Sequence, residues 1–114
     1  MDYKRGDIVL VNFNPKRKEE EIGKIRPAVI ISDSNLNEVL DLVSVVAMTT
    51  NLIDDAEPLR IRILKRDNLK EDSDIMIEQL RSLSKSRILK KLSELNDDEM
   101  LKVENGIKIM LGMN

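Results

Sequence analysis

Ten residues, Gly23-Lys24-Ile25-Arg26-Pro27-Ala28-Val29-Ile30-Ile31-Ser32, restrict the folds open to this chain more than any other stretch. Proline fixes its own φ and pushes the residue before it out of the helical region, so Arg26 is held extended. Proline is tolerated at the first position of a strand, and Ala28 to Ile31 then read as a buried strand. The result is one guanidinium at the junction of a charged loop and a strand, where its fixed fork of donors suits a phosphate. An ordinary surface arginine ahead of an edge strand is the simpler alternative.

The chain has 114 residues, enough for one domain with a modest core. Trp is absent, and Tyr3 and Phe13 are the only aromatic residues. The core must therefore be aliphatic, and base stacking on aromatic platforms cannot dominate any RNA binding. No apolar run is long enough to span a membrane, and no signal peptide is visible. There is no cysteine, which removes disulfides, thiolate metal sites and a Cys nucleophile and points to a reducing compartment. There is no histidine either, so imidazole acid–base chemistry is excluded and a mechanism without metal or other cofactor is expected.

A net charge of −2 argues against indiscriminate nucleic-acid binding through an overall positive field. The basic residues are nevertheless grouped: Lys16-Arg17-Lys18, Lys24, Arg26, Lys85, Arg87, Lys90 and Lys91. The charged segment 14–26 carries Pro15 and Gly23 as punctuation and reads as an exposed loop. It is either a solvated tip or a lid over a binding groove.

Strands are expected over 7–13, 28–32 and 42–48, the last ending at Thr49-Thr50-Asn51. Leu59 to Ile63 alternates with period two, burying one face and presenting Arg60 and Arg62 on the other. Residues 65–72 read as turn or short helix, and Ile75 to Leu83 as a further strand. Asp33-Ser34-Asn35 caps a short helical turn reaching about Leu40. Near the end, Asn96 and Glu99 form a capping box, with acidic residues where the helix dipole favours them. Met100, Val103, Ile107, Met110 and Leu111 then recur at helical spacing, with Gly112 as the stop.

Four segments stand in a telling order: Tyr3-Lys4-Arg5-Gly6-Asp7-Ile8-Val9-Leu10-Val11-Asn12-Phe13, the Arg26-Pro27 strand, Val45-Val46-Ala47-Met48-Thr49-Thr50, and Asp74-Ile75-Met76-Ile77-Glu78-Gln79-Leu80-Arg81-Ser82-Leu83. Together they resemble the MazF/PemK family of toxin endoribonucleases over essentially the whole chain. The resemblance implies a single α+β domain over residues 1–114. Its form would be a partly open SH3-like barrel with short helices and a C-terminal helix. Residues 88–95 have spacing that allows a helix, whereas the resemblance implies a turn followed by a closing strand at 89–93.

The resemblance also implies a metal-independent, sequence-specific cleavage of single-stranded RNA, leaving a cyclic 2′,3′-phosphate and a 5′-hydroxyl. Arg26 matches the family's catalytic arginine and Thr49 its threonine partner, with Thr50 a one-residue alternative. Strand alternation sends neighbours to opposite faces, so only one of the two threonines should face Arg26. Gln79 and Arg81, two apart on one strand, are candidate RNA contacts, as are Ser82 and the basic Lys16, Arg17, Lys18 and Lys24. Three consecutive glutamates, Glu19-Glu20-Glu21, replace the Gly-rich sequence common in the family. A MazE-like antitoxin, a homodimer and a cytoplasmic site of action are implied as well. Met110, Leu111 and Met113 are candidates for that dimer's interface or for the core. A gyrase-binding toxin like CcdB, or a catalytically silent RNA-binding module, are the alternatives of the same architecture.

Overall fold

A strand covered on both faces needs apolar neighbours rather than strict alternation, and the central strands here are of that kind. The computed structural model describes residues 3–13 and 25–113, so the expectations for Lys16, Arg17, Lys18 and Lys24 fall outside the described residues. In β1 (Asp7–Asn12) the neighbours Ile8 and Val9 point to opposite faces and both are buried. The same holds for Val29 and Ile30 in β2 (Ile25–Ile30), and for Val45 and Val46 in β3 (Leu42–Thr49). β4 (Arg60–Ile63) alternates as expected, with Ile61 and Ile63 buried between Arg60 and Arg62. β5 (Ser73–Ser84) and β6 (Ile88–Glu94) complete a six-stranded antiparallel sheet ordered β4-β5-β3-β2-β1-β6. β4 and β6 form its two edges, so the curved sheet stays open.

Two apolar clusters lie on opposite faces of this sheet. Ile8, Val29, Val46, Met48, Ile61, Ile63, Ile75 and Ile77 form the first, capped by Val103 of the C-terminal helix α2 (Asp97–Met110). Val9, Val11, Ala28, Ile30, Val43 and Val45 form the second, with Tyr3 and Phe13 packed against it. Each fully buried Val or Ile contributes roughly 1.5–3 kcal/mol, so these rows hold the strands in place.

The hairpin joining β2 to β3 carries α1 (Ser34–Val39), capped by Asp33, whose carboxylate accepts from the Asn35 and Leu36 amides. Asn37 is buried inside it. Its side chain donates to the Ser32 carbonyl at 3.1 Å and accepts from the Ser32 hydroxyl, which in turn accepts from the Ser44 amide at 3.0 Å. The closed end of the hairpin is thereby knotted.

α2 begins with the expected capping box between Asn96 and Glu99. Arg66 clamps Glu99 with two bonds of 2.7 Å, and Arg5 pairs with Glu104 at 2.7 Å. Gly112 ends the helix at φ +72°, a backbone region that costs glycine little, with Met113 donating to the Lys108 carbonyl. Met110 packs against the first cluster, whereas Leu111 and Met113 are exposed.

One sequence expectation shifts in detail, and two open alternatives are decided. β2 begins at Ile25, so Pro27 is inside the strand rather than at its start. The pairing with β3 begins only at Ala28, opposite Ala47, so Pro27 lies before that ladder. Residues 65–72 form a turn closed by an Arg66–Leu69 bridge, not a helix. Residues 88–94 are the edge strand that the resemblance implied, preceded by a single 3-10 turn at Lys85–Arg87.

Gly106 sits where α2 comes closest to the rest of the molecule. A Cβ there would stand 2.6 Å from the Pro58 carbonyl and 3.1 Å from Ile77 Cγ1. Alanine normally favours a helix over glycine by about 1 kcal/mol, but a backbone carbonyl cannot swing aside. Gly106→Ala is expected to lose about 1–2 kcal/mol in denaturant unfolding, while exposed Asn105→Ala stays within about 0.5 kcal/mol of the parent. A stabilised Gly106→Ala would show that the helix rides further from the sheet.

Candidate active site at the mouth of the β2–β3 hairpin

Strand register builds this site. β2 and β3 pair Ala28 with Ala47, and the same register carried two residues outward sets Arg26 opposite Thr49. The row continues by direct pairing, Thr49 with Asp74 of β5 and Asp74 with Arg62 of β4. Directly opposed residues share a face, so Arg26, Thr49, Asp74 and Arg62 line one side across four strands. Val11 pairs with Arg26 from β1 and brings Phe13, two residues on, to the same side.

Beside Arg26 lies a hollow of about 300 Å³ lined by Phe13, Arg26, Ala47, Met76, Gln79 and Arg81. An irregularity in β5 makes room for it. The β3–β5 pairing jumps from Val46–Leu80 to Met48–Ile75, leaving residues 76–79 against Ala47 alone. Gln79, two residues from Arg81, shares its face and enters the hollow beside Arg26. The Arg81 guanidinium stands 5.4 Å from the Phe13 ring centroid, within cation–π range. Arg87 donates to the Phe13 carbonyl at 3.0 Å, adding a further cation to this end.

Thr49 is half-buried at the end of β3, and its hydroxyl oxygen accepts from the Asn51 amide at 3.1 Å. Thr50 faces elsewhere: it lines a separate hollow with Leu10, Pro27, Leu69 and Lys90. Ser82 is also outside the Arg26 hollow. It pairs with Ser44, hydroxyl to hydroxyl at 2.8 Å, and alternation puts it on the face opposite Arg81. The structure thus brings Arg26, Thr49, Gln79 and Arg81 to one face and leaves Thr50 and Ser82 off it.

On the far side of Thr49 a larger hollow of about 660 Å³ is lined by residues 53–57 with Arg60, Arg62 and Asp74. The Asp74 carboxylate is almost wholly buried, 1% exposed, and fully engaged. Arg62 Nε donates to one oxygen, and the Ile53 amide donates to the other at 2.8 Å. Burial alone would raise its pKa; the Arg62 guanidinium and the Ile53 amide outweigh this and hold it below the usual carboxylate range. Asp74 reciprocally raises the pKa of Arg62. Among the described residues, no three carboxylates are grouped so as to hold a metal ion.

Sequence reading missed Phe13, Arg87 and this Arg60–Arg62–Asp74 set as parts of the site. Period two already placed Phe13 with Val9 and Val11, and Arg60 with Arg62. Their partners lie on strands distant in sequence.

The chain matches, over residues 4–111, the family described as PemK-like, MazF-like toxin of type II toxin–antitoxin systems. It belongs to that family. The Staphylococcus epidermidis endoribonuclease MazF is 36% identical over 112 residues, covering 97% of this chain and 92% of the relative. The fold is likewise that of MazF from Deinococcus radiodurans (TM-score 0.80, 24% identity, 99% of each chain). It also matches a chain of the Deinococcus radiodurans MazE–MazF complex, crystal form II (TM-score 0.78, 22% identity, 100% of this chain and 99% of that one).

The depressed Asp74 carboxylate makes a pH test. A lowered folded-state pKa contributes stability that is present at neutral pH and lost as pH falls through the folded value. Asp74→Asn should therefore melt below the parent at pH 7, with the gap in Tm narrowing on acidification through and below the usual carboxylate range. A gap that stays constant with pH would mean the Asp74–Arg62 charge pair contributes nothing.

Proposed function

We propose that Arg26 and Thr49 hold the scissile phosphate in this MazF-type endoribonuclease toxin. The observation that carries the reading is their placement: the β2–β3 register sets them opposite each other, beside a hollow that offers Gln79 and Arg81. RNA brings its own nucleophile. The ribose 2′-oxygen bonds to phosphorus, the P–O5′ bond breaks, and the products are a cyclic 2′,3′-phosphate and a 5′-hydroxyl. One proton leaves O2′ and one reaches O5′, so the step balances without a cofactor.

The role of Arg26 is to neutralise charge gathering on the non-bridging oxygens. Arginines so aimed are worth roughly 10³–10⁵ in rate in other phosphoryl-transfer enzymes. The Thr49 oxygen already accepts from Asn51, which leaves its O–H to donate to the same phosphate. A donor of that kind contributes about 2.7–4 kcal/mol. Gln79 is placed to read a base edge, and Arg81 a phosphate or base. Lys16, Arg17, Lys18 and Lys24 add salt-dependent contacts to the backbone.

The substrate is single-stranded RNA in the cytoplasm, and no helix among the described residues is long and apolar enough to cross a membrane. Because the MazE–MazF complex shares this fold, a MazE-like antitoxin is the expected partner. Such a partner needs acidic groups to cover Arg26, Arg81 and Arg87. The working form is a homodimer, with Leu111 and Met113 as exposed apolar residues for its interface.

Incubation with a long RNA in EDTA tests the reading. Discrete fragments bearing 5′-hydroxyl and cyclic phosphate ends are expected. Arg26→Ala should abolish them, and Arg26→Lys should be severely impaired because a point charge cannot reproduce the guanidinium fork. Thr49→Ala should lose about 10²-fold or more, and Thr50→Ala far less. Gyrase inhibition without cutting would replace this reading with a CcdB-like one, and neither activity would leave a silent binding module.

A further inference from the structure

The turn that follows Thr49 is held from two directions by side chains that the catalytic reading does not use. Asn51 donates its amide to the Thr49 hydroxyl oxygen at 3.1 Å, while its carbonyl accepts from Arg60 Nη1 at 3.2 Å. Two residues further on, the Ile53 amide donates to Asp74 at 2.8 Å. Arg60 Nη1 also stands 3.8 Å from the same Asp74 oxygen. One residue, Asn51, therefore connects the Thr49 hydroxyl to a guanidinium on β4 through its amide and its carbonyl, and that guanidinium leans on a buried carboxylate on β5.

We propose that Arg60 is a positioning residue for Thr49, acting through the Asn51 carbonyl, with buried Asp74 as the counter-ion that fixes Arg60. The proposal rests on reading Thr49 as a phosphate donor. Threonine in a strand has more than one accessible rotamer, and its hydroxyl can turn. A hydroxyl oxygen that accepts from a fixed amide has its proton directed away from that amide, which leaves the proton free to meet a phosphate on the face shared with Arg26. Anything that lets the 50–53 turn move releases that orientation.

Arg60 suits the task better than its neighbour. Its side chain is 18% exposed, against 33% for Arg62, and its hydrogen bond at 3.2 Å goes to the turn backbone rather than to a carboxylate. Arg62 spends Nε on Asp74 and Nη2 on exposed Asp54. The two arginines divide the work: Arg62 secures Asp74, and Arg60 transmits that anchor to Asn51. A purely structural arginine would be expected to stabilise the fold without caring which residue stands at position 49.

A double-mutant cycle separates these roles. Single-turnover RNA cleavage is measured for the parent, Arg60→Leu, Thr49→Ala and the double variant. Affinity is measured with RNA carrying a 2′-deoxy sugar at the cut position. The expected result is a rate loss of about tenfold or more for Arg60→Leu, with affinity changed less than about threefold. Arg60→Lys, which keeps one donor and the charge, should recover part of the rate, and it serves in the cycle instead if Arg60→Leu melts near assay temperature. In the Thr49→Ala background the Arg60 substitution should cost nothing more. Equal losses in both backgrounds, or a loss confined to affinity, would overturn the positioning role while leaving Thr49 as the phosphate donor. A Thr49→Ala protein as fast as the parent would overturn that reading and the positioning role together.

Discussion

Where the hairpin of β2 and β3 is tied decides where Arg26 stands. At its closed end the Ser32–Asn37–Ser44 knot fixes which residues face each other, and the register runs from there through Val29–Val46 and Ala28–Ala47 to the open end. A slip of one residue would turn Arg26 toward the opposite face and separate it from Thr49. The β2–β3 pairing stops at Ala28, just short of Pro27, which has no donor to give. Beyond that point the side chains of Arg26 and Thr49 stand at the mouth of the hairpin. The buried knot and the site are two ends of one mechanical unit.

The charge pattern follows from the same sheet. An acidic protein of net charge −2 still gathers Arg26, Arg81 and Arg87 around Phe13. On the other side of Thr49, Asp54, Asp55, Glu57 and Asp74 outnumber Arg60 and Arg62 around the larger hollow. A polyanion approaching this face meets cations beside Arg26 and a net negative lining beyond Thr49. That asymmetry suits local recognition rather than a protein-wide positive field.

Much of this architecture was legible in the chain. Apolar runs over 7–13 and 42–48 marked strands, the alternation of Leu59 to Ile63 marked a strand with one buried face, and Asn96 with Glu99 marked the start of α2. Pro27 picked out Arg26 because its effect on the backbone is local. What escaped depends on partners far away in sequence. Whether Thr49 or Thr50 faces Arg26 is a matter of register with another strand. The placing of Asp74 on the face of Gln79 and Arg81 comes from a bulge that no residue of β5 announces by itself. Arg60 and Arg62 read correctly as one face of a strand, yet nothing local showed that Asp74 and the Asn51 carbonyl would meet them. Residues 88–95 were ambiguous because Leu-rich spacing fits a helix as well as an edge strand. The ladder with β1 decides in favour of the strand.

The central claim is that one phosphate is held between Arg26 and Thr49. Its most direct test is a crystal structure of the protein bound to RNA with a 2′-deoxy sugar at the cut position, mapped beforehand from fragment ends. The phosphate following that sugar should lie within hydrogen-bonding distance of both the Arg26 guanidinium and the Thr49 hydroxyl, with a neighbouring base in the Gln79–Arg81 hollow. The same phosphate seated against Arg60 and Arg62, or on the Thr50 side of the sheet, would contradict the account.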